Sequence, residues 1–404
     1  MLLMFFIQHL DAQRIASFEV KLKNQQQELV TPVQVNLDAI TFLPDSVLQL
    51  IEIQGKNRLP VSFQIENANQ RNLHWIISPQ NNKEKTRIFE LIKARPNAIA
   101  STMKIVDDNG FLTISNNNKN LLRYNYKTIY PPQGIDTVYR RSGFIHPLWS
   151  PRGQELTRIN APDHYHHWGM WNPWTEVLFE NDTVDFWNLV KKEGTVRFSH
   201  FTSKTIGPVY TEYQALHEHV VFKKDQEKVA MNELQTVRIY NPANNQNYYI
   251  ADVTVQLNCA TESPVLLLEY RYGGLGIRAT SEWNKDNSEI ITSEGKNRKE
   301  SDGSRARWVM AQGAVNNDHA GLVMMSYPTN YNFPEPLRVW PETMNDRGDV
   351  FLNFSPTKNM NWLIKPGTNY FLKYRFIVFN DVLSKEKAEA GWKDFAEPPI
   401  ITIK

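Results

Sequence analysis

The sequence predicts a mostly β protein: a small N-terminal β-sandwich followed by a large antiparallel two-sheet β-sandwich. Three observations carry this. Short runs alternate apolar and polar residues with the period of two that a half-buried strand requires. Clusters of Gly, Asn, Asp and Pro separate those runs. No helical pattern of crossover length stands between successive strands, which argues for antiparallel pairing and against βαβ units.

The first expected domain spans residues 14–130. Ser17-Phe18-Glu19-Val20-Lys21-Leu22 and Pro60-Val61-Ser62-Phe63-Gln64-Ile65 alternate. Gly55-Lys56-Asn57, Pro79-Gln80-Asn81-Asn82 and Asp107-Asp108-Asn109-Gly110 supply turns. Phe111-Leu112-Thr113-Ile114 and Leu121-Leu122-Arg123-Tyr124 are further strands, and one short helix is expected near Lys85 to Lys93. Tyr130-Pro131-Pro132-Gln133-Gly134 breaks the pattern and marks the boundary. The second expected domain, 135–404, is again strand-rich. Its strands include Val237 to Tyr240, Tyr248 to Val255, Val265 to Tyr270 and Tyr370 to Val378, with a short helix over Lys385 to Phe395. Ahead of both domains, Met1 to Ile7 is apolar and Asp11-Ala12-Gln13 follows. Residues 1–13 read as the remnant of a secretory signal peptide without its basic n-region, which predicts a periplasmic or secreted protein.

At 404 residues the chain has room for two domains. Lys plus Arg number 45 and Asp plus Glu 43, so the net charge of +2 offers no electrostatic basis for binding nucleic acid or an anionic membrane. Cys259 is the only cysteine, which excludes an intrachain disulfide and a multi-cysteine metal site. No stretch reaches the roughly 18 apolar residues of a membrane helix. The 11 Trp and 16 Tyr supply aromatic faces that suit sugar rings, although such rings also fill β-sheet cores.

The densest chemistry lies in Asp163-His164-Tyr165-His166-His167-Trp168-Gly169-Met170-Trp171, where three of the ten histidines fall inside four positions. Imidazole titrates near neutral pH and is the commonest metal ligand. On a strand, His164 and His166 share a face and His167 points away. On a helix, Asp163, His166 and His167 share one instead. Elsewhere, His146 precedes Pro147 in an extended piece and can face the same pocket. Arg158 can orient Asp163 or hold an anionic substrate group. Asp185, beside Trp187, is either a partner for an imidazole or a turn cap. Glu233 is a candidate acid or base. Tyr272-Gly273-Gly274-Leu275-Gly276-Ile277-Arg278 lacks the strand–loop–helix context of a dinucleotide fingerprint, so no nucleotide cofactor is expected. Its glycines suit close backbone approach or a sheet corner, and Arg278 can project into a cleft. Arg307 shares a strand face with Arg305. Arg338 lies in a proline- and aromatic-rich loop region, Tyr327 to Pro341, that suits a cleft wall.

The order of these pieces resembles a bacterial family labelled "methane oxygenase PmoA-like", of unassigned function. The matching pieces are His146-Pro147-Leu148, Asp163 to Gly169, Thr183-Val184-Asp185-Phe186-Trp187, Gly273 to Arg278, Ala306-Arg307-Trp308 and Tyr327-Pro328 to Pro334, within about residues 135–396. Tyr165 replaces the family's proline, Trp168 its arginine and Tyr327 its histidine. The true methane monooxygenase subunit of that name is a membrane protein, and nothing here spans a bilayer. The family is similar instead to large, supersandwich-like sugar enzymes of the galactose-mutarotase type, a fold-level analogy.

The leading expectation is a secreted or periplasmic carbohydrate-active enzyme of hydrolase, lyase or epimerase type. A histidine among 164–167 serves as general acid or base, Asp163 or Asp185 fixes its tautomer, and Arg158, Arg278 or Arg338 holds a carboxylate or hydroxyls. No carboxylate pair of the usual glycosidase kind stands out. One alternative is a divalent metal site on His164, His166 and one of His146 or His167. Another is a non-catalytic glycan-binding module that stacks sugars on Trp and Tyr. The expected partner is a carbohydrate or other small molecule.

Overall fold

Antiparallel pairing joins every described strand ladder in a computed structural model of the chain. The structure describes residues 13–22, 29–79, 86–95, 101–223, 226–241 and 247–404. The chain divides into two units, Met1–Ser101 with Glu397–Lys404, and Thr102–Ala396. The signal-peptide expectation, and the turn at Gln80-Asn81-Asn82, lie outside the described residues.

In the first unit a five-stranded and a three-stranded sheet form the expected small sandwich. Alternation decides which side chains face inward: Phe18 and Val20 from Gln13–Lys21, Leu48 and Leu50 from Leu48–Gln54, Phe89 and Leu91 from Thr86–Lys93. They close on Leu73, Trp75 and Ile77 of the opposite sheet. The segment expected as a helix near Lys85 to Lys93 is the strand Thr86–Lys93, paired on both sides with Gln13–Lys21 and Leu48–Gln54. Ile88, Phe89, Leu91 and Ile92 fit a helical period locally, but two neighbouring strands satisfy this backbone.

The second unit holds two eight-stranded sheets. One runs Leu337–Val339, Phe351–Phe354, Gly276–Arg278, Met170–Trp171, Phe144–Leu148, Lys119–Asn125, Phe111–Asn116 and Met103–Asp108. The other runs Gly194–Ile206, Tyr210–Lys223, Gln226–Tyr240, Tyr248–Cys259, Tyr370–Asn380, Asp318–Ser326, Trp308–Val315 and Ser288–Thr292. Leu122, Ile145 and Ile277 of the first meet Ala215, Val253 and Leu372 of the second in one core. This is the expected large antiparallel sandwich. Its boundary, however, falls near Ser101 and not at Tyr130-Pro131-Pro132-Gln133-Gly134, because Lys119–Asn125 pairs with Phe144–Leu148 across that loop. The C-terminal strand Ile400–Ile403 belongs to the first unit, on Gln13–Lys21. The helix Lys385–Ala396 forms where expected.

Within the proline-rich loop, Glu335 is fully buried and accepts from Ser326 Oγ at 2.6 Å, Asn330 Nδ2 at 2.8 Å and Tyr374 Oη at 3.0 Å. Burial pushes its carboxyl up to about 7. A raised folded-state value means its contribution is complete below the unfolded value of about 4.3 and is lost as pH rises through the folded one. Glu335→Gln is therefore expected to raise thermal stability by about 1–3 kcal/mol above neutral pH and to leave it unchanged or lower near pH 4. Melting curves across pH check this. A wild-type-to-variant difference that stays constant over that range would contradict it.

Candidate functional site

The hairpin Ile159–Ala161 with His164–Trp168 carries the histidines. Its register is irregular: Ala161 pairs with His164 and Ile159 with Trp168, so two steps on one strand face four on the other. Asn160 takes the left-handed conformation at φ 56. Such a bulge breaks the alternation of side chains. As a result, His164, His166 and His167 gather at one point, with one candidate ligand nitrogen from each lying within 4.8 Å of the others. Ring centroids are 5.3 Å apart for His164–His166, 4.8 Å for His164–His167 and 4.9 Å for His166–His167. The expectation that His167 points away is thus corrected. Trp168, which stands where the resembled family has arginine, is buried against Phe144 at 4.8 Å.

A guanidinium–carboxylate frame holds this strand. Asp163 Oδ2 accepts from His164 Nδ1 at 2.7 Å, from Arg278 Nη2 at 2.8 Å and from Asn345 Nδ2 at 2.8 Å. Arg158 Nη2 reaches Asp163 at 3.3 Å and Asp349 at 2.9 Å. Arg278 Nη2 also reaches Asp349 at 2.9 Å, and its guanidinium stacks 4.3 Å over Trp340. Burial pushes the Asp163 carboxyl up, but His164, Arg278 and Asn345 outweigh it and hold it well below the usual carboxylate range. Burial lowers the Arg278 guanidinium to about 10. Gly169 links strand to frame: its N–H donates to Arg158 O at 3.1 Å, and its carbonyl accepts from Arg278 N at 2.8 Å. At φ 60, a Cβ there would lie 2.4 Å from Ile145 O, so only glycine fits.

Behind the trio stands an aromatic wall. Trp340 lies 4.8 Å from His164 and 5.3 Å from His167; Phe351 and Trp171 lie 5.0 and 5.1 Å from His167. Burial, with the neighbouring His164 charge, lowers His166 to about 4, and burial drives His167 well below its ordinary value. Both rings are therefore neutral at physiological pH. Buried His167 Nδ1 has no hydrogen-bond partner. Three converging imidazoles, with an orphaned nitrogen on one of them, can accept a cation.

Other expected site residues lie elsewhere or behind this point. His146 bonds Thr157 Oγ1 at 3.1 Å and is outside the converging group. Glu233 is fully buried and accepts from His217 at 3.1 Å, His219 at 3.0 Å and Asn172 at 2.8 Å, far too enclosed for a substrate acid or base. Asp185 is the turn cap, accepting from the Trp187 and Asn188 N–H groups at 2.8 Å each, with Lys191 at 3.0 Å. Trp187 packs 5.9 Å from His167. Arg307 is tied to Glu389 at 2.8 Å and stacks on Trp392 of the C-terminal helix, so it is a structural clamp. Arg338 bonds Tyr272 Oη at 3.0 Å and Asp302 at 2.8 Å, one layer behind Trp340. The glycine run serves a sheet corner, since Gly274 has φ 81 and a Cβ there would meet Phe354 O at 3.0 Å. Sequence reasoning missed Asn345, Asp349 and Trp340. The compact Asn345-Asp346-Arg347-Gly348-Asp349 turn was a local signal, but nothing in it named Asp163 as a partner.

Among the described residues, no helix is long and apolar enough to cross a membrane. No curated protein matches the chain. Two solved structures from Enterococcus faecalis are similar in outline: a protein in glycosyl hydrolase family 38 (7% identity, TM-score 0.43) and an alpha-mannosidase from strain V583 (9% identity, TM-score 0.45). They cover 97% and 96% of this chain, which spans 48% and 46% of theirs, about half their length. The model of a family of unknown function matches residues 112–393. It carries neither the methane-oxygenase label nor a mutarotase likeness, and its unassigned function agrees with the expectation. With most of its length inside that match, the chain belongs to the family of unknown function DUF6807.

Proposed function

We propose that this chain is a metal-dependent, carbohydrate-active enzyme in which His164, His166 and His167 hold one divalent transition ion. The observation that carries the reading is the approach of the three imidazole nitrogens to within 4.8 Å of one another. Zinc–imidazole bonds of about 2.0–2.1 Å in tetrahedral geometry need nitrogens roughly 3.4 Å apart, so small ring rotations close the set. Asp163 engages His164 Nδ1 and leaves Nε2 for the ion, the arrangement that carboxylates ordinarily impose on metal-bound histidine. His164 and His166 are half-buried, so an ion held by them would be within reach of a substrate from solvent. An ion there would supply Lewis acidity toward a substrate oxygen. Half-buried Tyr165, with Tyr139 5.7 Å away, offers aromatic faces of the kind that stack on sugar rings.

Elemental analysis of protein purified without a histidine tag, then metal-stripped and titrated with zinc and manganese, tests this. Wild type is expected to hold close to one equivalent. His164→Ala and His166→Ala are expected to fall below roughly a tenth while keeping their circular dichroism, because two imidazoles do not retain a catalytic divalent ion. Wild type that holds no ion in either experiment would end the reading.

A further inference from the structure

A cavity of about 430 Å³ lies beside the trio, lined by Arg140, Arg141, Lys192, Thr128, Thr137 and Thr195 among others. None of the three histidines lines it, yet two links join it to them. Tyr139, between lining residues Val138 and Arg140, packs on Tyr165 of the histidine strand at 5.7 Å. Arg141 Nη1 donates to the carbonyl of Phe186 at 3.3 Å, and the next residue, Trp187, packs on His167.

The charges in this cavity do not balance internally. Two carboxylates line it, but Asp136 is engaged by the Val138 N–H at 2.9 Å and Glu227 by Arg197 at 2.6 Å. Arg197 is further neutralised by Glu218 at 3.0 Å. Arg140 donates to the Thr137 carbonyl at 3.4 Å. Among the described residues, no carboxylate lies within ion-pair distance of Arg140, Arg141 or Lys192. Arg141 is 2% exposed, and its Nε has no partner. Its backbone is held on both sides by Ile129, at 3.0 and 2.8 Å, so the guanidinium is placed before any ligand arrives. The one carboxylate that acts on buried Arg141, Glu233, lies beyond ion-pair distance and is engaged by His217, His219 and Asn172. A buried cation compensated only at that range is costly, and an anionic ligand reduces that cost. By contrast, Arg158 and Arg278, expected to hold a substrate carboxylate, are consumed by Asp163 and Asp349.

We infer that this cavity binds the carboxylate of an acidic saccharide, with Arg141 and Arg140 on the carboxylate, Lys192 at the rim, and the threonine hydroxyls on the sugar hydroxyls. The volume lies within the range of small-molecule pockets, about 300–1,000 Å³, and far exceeds what an inorganic oxyanion fills. Guanidinium forks match carboxylate geometry, which favours Arg over Lys as the main contact. The inference rests on the carbohydrate half of the proposed function but not on its metal.

Calorimetric titration of metal-free protein with D-glucuronate, D-glucose and sulfate tests it. Glucuronate is expected to bind at least tenfold more tightly than glucose or sulfate. Arg140→Ala with Lys192→Ala, both at exposed positions, is expected to weaken glucuronate about tenfold; Arg141→Met is expected to abolish binding. His166→Ala should bind glucuronate as wild type does, so failure of the metal site and failure of this cavity are read separately. Equal binding of glucuronate and glucose would overturn the inference. So would sulfate matching glucuronate, or an unchanged surface double variant.

Discussion

Glu233→Ala is expected to destabilise the protein by about 3–5 kcal/mol, because it removes the acceptor from an enclosed hydrogen-bond network. His217 Nδ1, His219 Nε2 and Asn172 Nδ2 all donate to this carboxylate, and Tyr124 Oη lies 2.6 Å from His217 Nε2. One tautomer set satisfies every bond: Tyr124 donates to His217, and both imidazoles donate to Glu233. Burial pushes the Glu233 carboxyl up, yet the hydrogen bonds from His217 and His219 outweigh it and bring it down to about 2. A depressed folded-state value contributes stability above the unfolded value of about 4.3 and loses it as pH falls toward the folded one. Wild type should therefore lose this stability between about pH 4 and pH 2, and Glu233→Ala should show a flatter acid limb there. Chemical denaturation at neutral and acid pH measures both effects. A variant with wild-type stability but no turnover would restore Glu233 to the reacting centre.

Arg278→Ala is the second large effect: a loss of about 3–5 kcal/mol together with a 10–100-fold loss of metal affinity at the trio. The side chain is fully buried, bridges Asp163 and Asp349, and lies over the Trp340 ring. Its removal leaves two carboxylates facing one another, bridged by the Arg158 cation and the neutral Asn345 amide, and it empties the space above the indole. Asp163 is then freer to turn, and His164 loses the bond that aims its Nε2. Arg278→Lys keeps the charge but not the planar fork or the stacking, so it should recover only part of the stability. Thermal melts paired with zinc titration separate the two consequences. An Arg278→Ala protein that melts and binds zinc like wild type would remove the frame from the account of this site.

Much of the site was legible before folding. The density of histidine in residues 163–167 singled out the segment, and Arg158 was expected beside Asp163, where it lies at 3.3 Å; Arg278, expected only to project into a cleft, bridges Asp163 and Asp349 instead. What misled was local pattern without its partners. Glu233 looked like a polar residue on a strand, and nothing in its neighbours on the chain revealed that His217, His219 and Asn172 would enclose it. Arg307 shared a motif with the site residues but found its carboxylate on the C-terminal helix. The prolines at 131 and 132 marked a loop inside a domain, because the strands on either side pair across it.

From the chain alone came the β class, the two-sandwich plan and the histidine-rich segment, since period-two alternation and residue chemistry are properties of neighbours. Folding alone decided that three imidazoles meet, through a bulge that cancels the alternation, and that one carboxylate nearly two hundred residues away, Asp349, helps lock their strand through Arg158 and Arg278. It also decided which cations stay unpaired. Register, burial and ion pairing between distant strands depend on the whole packed core, and a linear sequence does not contain those distances.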